Sequence, residues 1–135
     1  MDLQNLAYAL IQIAHNFGAV AVTGGAIAAR WPRPQPQRRP LAWLILAGWG
    51  TQAASGAGFG AVSYASYGQL PDIHGVAIAA LVLKMACALS GFALSAAWLR
   101  SGGRWSPALG EAAWVALAIL AAVALAAAAF LRWFS

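Results

Sequence analysis

The sequence predicts an all-α integral membrane protein: a four-transmembrane-helix bundle, up-down-up-down, with both termini on the non-cytoplasmic side. Three observations carry this expectation. Hydrophobic residues make up 62% of the chain and charged ones only 8%, against about 25% charged in an ordinary soluble domain, so a water-exposed surface could not be covered. Four apolar stretches each reach the roughly 20 residues needed to cross about 30 Å of hydrocarbon. Arginines gather in two of the three connections between them. At 135 residues the chain is read as one integral membrane domain, 1–135, with no room for a separate soluble catalytic module.

The first span covers about residues 3–29 and stops at Arg30-Trp31-Pro32. It lacks a basic start and exceeds the length of a signal-peptide core, so it is expected to be retained. Residues 30–40 hold Arg30, Arg33, Arg38 and Arg39 among four prolines, which predicts an extended, hydrated connection rather than helix. The second span, about 41–64, carries Thr51, Gln52, Ser55, Gly58 and Ser63, and its Gly56 and Gly60 form a GxxxG pair that predicts tight helix packing. A connection over 66–72 without a basic residue leads to the third span, about 73–99. Its one thiol, Cys87, has no partner for an internal disulfide and reads as a buried structural residue. Residues 100–107 bring Arg100, Arg104 and two glycines, then Ser106-Pro107 as a cap with proline in the first helical turn. The fourth span, about 108–134, is alanine-rich, and Ala124 and Ala128 are among the small residues that allow close helix contact. The two helical hairpins show no residue-level repeat.

Cytoplasmic loops carry an excess of Lys and Arg. The Arg-rich loops 30–40 and 100–107 are therefore expected in the cytoplasm, and Asp2, Asp72 and the single Arg132 outside it. This is the pattern of a multi-pass protein of the bacterial inner (plasma) membrane. Trp31, Trp43, Trp98 and Trp105 fall at the cytoplasmic ends of the spans and Trp133 at the opposite end, as interfacial belts would. Trp49 and Trp114 lie deeper and read as packing or cofactor-facing residues, with helix packing favoured. The net charge of +5 resides mostly in these loops, so it marks topology and no nucleic-acid partner is expected.

Ionisable groups within a bilayer are costly and mark function by default. The spans hold three: His15 near the middle of span one, Lys84 near the middle of span three, and His74 at its outer end. Glu111 is too close to a span end to carry the same weight. Small residues follow His15 on one face, with Gly18, Ala21, Gly25 and Ala29, and a glycine-lined gap admits a flat cofactor or a neighbouring backbone. The cofactor best matched is haem b, since two histidines from different helices of a membrane bundle can supply axial ligands. His15 and His74 are then the metal ligands. His15 and Lys84 agree better in depth, and the residues leave open which of Lys84 and His74 is the second partner.

The run His15-Asn16-Phe17-Gly18 through Gly24-Gly25 resembles the first helix of the HemJ-type membrane protoporphyrinogen oxidases and of the related membrane domain of copper-resistance protein D. That helix has a histidine, a glycine three positions on and a small residue about ten on, matched by His15, Gly18 and Gly25. The family also has a lysine in its third helix, where Lys84 stands. The resemblance covers about three spans, and the chain departs from the family in its shorter, less polar loops. It implies a haem-b-binding four-helix membrane protein, with His15 and Lys84 as the transferable positions.

The expected function is thus a haem-b membrane redox protein, an oxidoreductase of the porphyrinogen-oxidase kind or an electron-transport carrier. One alternative is a non-catalytic accessory subunit of a larger membrane complex or homo-oligomer, with quinone near Lys84. A further alternative is copper transport or tolerance, for which Met1, Met85 and Cys87 are a thin soft-ligand set.

Overall fold

The computed structural model describes residues 3–31 and 35–134, with the backbone alone at 35 and 36. The expected extended backbone at 32–34, the loop charge of Arg33, the outer charge of Asp2 and the Met1 thioether lie outside the described residues.

The described chain is all-α: α1 (Leu3–Ala28), α2 (Gln35–Tyr67), α3 (Val76–Ser101), a short 3₁₀ turn (Gly102–Arg104) and α4 (Pro107–Phe134). Three helical segments, Leu3–Ala28, Val76–Arg104 and Pro107–Phe134, are long and apolar enough to cross a membrane. Among the described residues α2 is the long helix outside that set, because its 33 residues include two arginines, Gln52 and a run of Gly and Ser.

The helix bounds differ from expectation chiefly at α2. The segment expected as an extended connection up to Pro40 is helical from Gln35, with Pro40 inside the helix. A proline there removes one backbone donor. The turn is held from outside, since the Arg38 side chain pairs with Glu111 of α4 and its Cζ lies 6.0 Å from the Trp114 ring centroid. Helix α3 begins at Val76, so His74 precedes it. At α4 the expected cap is present: the Leu109 amide donates to Ser106 Oγ at 3.2 Å, and Pro107 opens the helix.

Helices α1 and α2 pack in opposite order, α1 from Gln4 to Gly25 against α2 from Tyr67 back to Ile45. Gln4 donates to the Tyr67 hydroxyl at 2.7 Å, Ile11 lies against Gly58, Gly18 against Gly48, and Gly25 against Ile45. Helix α3 packs on α4 and α2, and α1 on α4, which sets α1 and α3 across the bundle from each other. The buried apolar core includes Val22, Ala26, Ile45, Trp49, Trp98, Trp114 and Leu117. These large members lie in the half of the bundle nearer the Arg-bearing connections, and small residues such as Ala77, Ala80 and Ala127 are buried in the other half.

The GxxxG pair is not the packing surface that was expected. A Cβ at Gly56 would meet nothing within 4 Å, and one at Gly60 would touch only Leu70. Close approach occurs instead at Gly18, Gly25, Gly48 and Gly91. Trp98, expected in an interfacial belt, is buried and meets Trp114 edge-on at 4.9 Å between ring centroids. Trp31, Trp43 and Trp133 are exposed as a belt requires, whereas Trp49 and Trp114 are core residues.

Candidate functional site

His15 is the thirteenth residue of the 26 in α1, placed mid-helix on the stripe that faces α2. Its ring meets two other helices. Nδ1 lies 2.6 Å from Ser55 Oγ on α2, and Nε2 lies 2.9 Å from Lys84 Nζ on α3. Gln52, one turn before Ser55, donates from Nε2 to the His15 carbonyl at 2.5 Å. Ser55 also reaches its own helix, 2.6 Å from the Thr51 carbonyl. Phe59 closes the cluster, its ring centroid 5.9 Å from the imidazole and nearly perpendicular to it.

The local sequence explains the convergence. Thr51, Gln52, Ser55 and Phe59 recur at helical spacing, so one face of α2 presents the polar groups to α1. On α3 the buried residues Ala77, Ala80, Cys87, Gly91, Ser95 and Trp98 form one stripe. Lys84 falls on that stripe by spacing, seven after Ala77 and seven before Gly91. The lysine therefore extends into the bundle instead of toward lipid.

Magnitudes argue against a purely structural cluster. Interhelical hydrogen bonds in membranes average about 0.6 kcal/mol each, so the three that join His15 to α2 and α3 contribute about 2 kcal/mol. A lysine at the centre of a spanning helix costs about 2.5–3.5 kcal/mol on insertion scales. Apolar residues in its place would serve stability better.

The expected site residues divide. His15 and Lys84 are brought together. His74 is exposed outside the bundle and pairs with Asp72 at 3.1 Å, so it does not join them. Gly18 and Gly25 do not line an open slot: a Cβ at Gly18 would sit 3.1 Å from the Gly48 carbonyl, and one at Gly25 2.8 Å from Ile45 Cγ1. They serve close packing of α1 on α2, one of the two uses a glycine face allows. Among the described residues no group of three or more His, Cys, Asp or Glu is placed to hold a metal ion.

For haem the donor set fits in kind. An imidazole and an amine face each other from helices on opposite sides of the bundle and would be the two nitrogens to hold the group. Their direct contact would have to give way to admit the iron.

Sequence reasoning gave the polar content of α2 but not Ser55 and Gln52 as partners of His15, since that pairing depends on the α1–α2 register. It also missed the Arg38–Glu111 pair. Compared with protein-family models, curated proteins and solved structures, the chain matches none.

Proposed function

We propose that this chain is a four-span membrane redox protein that binds one haem b, which His15 and Lys84 would hold through their facing ring and amine nitrogens. The observation that carries the reading is the contact between His15 Nε2 and Lys84 Nζ, 2.9 Å across the bundle. Two groups that are each costly in a membrane meet at one point, and the residues around them are Gln52, Ser55 and Phe59. Haem would supply one-electron chemistry at this point. The chain's own part is to present the His15 nitrogen, hold Lys84 opposite it and keep both away from water.

Packing supports the reading of four crossings. Helix α2 contacts α1 from Gln4–Tyr67 at one end to Gly25–Ile45 near the other, so it traverses whatever depth α1 traverses. An up-down-up-down bundle in a bacterial inner membrane, with the Arg-bearing connections cytoplasmic and both termini outside, accounts for these contacts and for the arginine distribution.

The deciding measurement is a dithionite-reduced minus oxidised visible spectrum of protein purified in mild detergent from haem-replete cells. The reading expects sharp α and Soret bands that vanish in His15→Ala, change position in Lys84→Met and persist in His74→Gln. A flat spectrum from folded wild-type protein overturns it.

A further inference from the structure

We propose that Ser55 is the positioning residue of this site, fixing His15 in the tautomer that carries its proton on Nδ1 and leaves Nε2 bare toward Lys84. The argument needs only the proton count. A serine hydroxyl has one proton and two lone pairs, and a carbonyl oxygen only accepts. Ser55 Oγ lies 2.6 Å from the Thr51 carbonyl and 2.6 Å from His15 Nδ1.

If the hydroxyl proton went to Nδ1, two oxygens would face each other at 2.6 Å with no proton between them. If it goes to the Thr51 carbonyl, Nδ1 must supply the proton of the other contact, and both are satisfied. Nε2 is then an acceptor, which suits a Lys84 Nζ that donates at 2.9 Å. The opposite tautomer would leave one contact without a proton and would also require Lys84 to accept.

Gln52 adds a second hold from the same helix face by donating to the His15 carbonyl. Helix α2 thus fixes the backbone and the ring of one residue. A histidine that ligates a metal through one ring nitrogen almost always donates from the other to a neighbouring acceptor, and losing that acceptor costs about 10–100-fold in metal affinity or activity. This role rests on the proposed haem site only where haem is the readout; the tautomer itself does not.

The test therefore has two separate arms. His74→Gln leaves His15 as the one histidine, and ¹⁵N-histidine labelling of the haem-free protein in detergent reads its ring nitrogens directly. Wild-type Ser55 should give a protonated Nδ1 and a bare Nε2. Ser55→Ala should lose that signature and Ser55→Thr, which keeps a hydroxyl, should restore it. A ring protonated on Nε2, or on both nitrogens, in the Ser55 protein overturns the proposal whatever haem does. In the second arm, haem retention should fall about 10–100-fold in Ser55→Ala and recover in Ser55→Thr. Absence of haem from the Ser55 protein would refute the haem reading alone, and haem retained equally by all three would refute the positioning role.

Discussion

Among single residues, Arg38 is placed least like the hydrated loop arginine its neighbours suggest. Its side chain is only 6% exposed, against 53% for Glu111, its ion-pair partner, and it lies over the Trp114 ring. Removing one member of a desolvated pair leaves the other charge uncompensated. With Glu111 half in solvent, Glu111→Gln should cost about 1–3 kcal/mol. Arg38→Met combined with Glu111→Gln should be less destabilised than Glu111→Gln alone. Unfolding midpoints of Glu111→Gln, Arg38→Met and the double variant in detergent check this, and strictly additive losses would mean the two residues do not interact. At this scale the sequence spoke through cost: His15 and Lys84 stood out because nothing apolar requires them. Ser55, Gln52 and Glu111 were ordinary polar residues until the helices were set side by side. No spacing within one helix records which residue of the next will face it.

Between elements, bulk on one helix meets absence of bulk on the other. The Trp49 indole of α2 lies on the α3 backbone at Gly91, where any Cβ would overlap the ring. Gly91→Val is accordingly expected to destabilise by about 1–3 kcal/mol, the usual cost of overpacking. Replacing the indole as well, in Gly91→Val with Trp49→Leu, should recover part of it. Thermal denaturation in detergent is the check, and a double variant no more stable than Gly91→Val would place the strain elsewhere. The helices themselves were legible from apolar length, and the α4 start from its Ser-Pro pair. The start of α2 was not. Its first turns look like a Pro- and Arg-rich linker and become helix because Arg38 finds Glu111 and Trp114 on α4. The GxxxG motif misled for the same reason: small residues permit contact, and the partner's large side chains, Ile45 and Trp49 here, decide where it happens.

For the molecule as a whole, the contacts sort the helix ends into two faces before any charge is counted. The Arg38–Glu111 pair puts the starts of α2 and α4 at one face. The Gln4–Tyr67 bond puts the start of α1 and the end of α2 at the other. The first face then carries Arg30, Arg38, Arg39, Arg100 and Arg104 against Glu111, and the second carries Asp72 and Arg132. The positive-inside rule counts Lys and Arg near span ends, so this asymmetry supports the proposed orientation even with Arg38 paired to Glu111. In a Cys87→Ala background, Gln69→Cys should react with a membrane-impermeant maleimide added to intact spheroplasts. Gly103→Cys should react only after the membrane is opened. Both positions are exposed turns, so accessibility and not burial decides the result. Labelling of Gly103→Cys from outside with Gln69→Cys protected would invert the orientation. Labelling of both from outside would mean that α3 does not cross, and the His15–Lys84 contact could not then lie within the membrane.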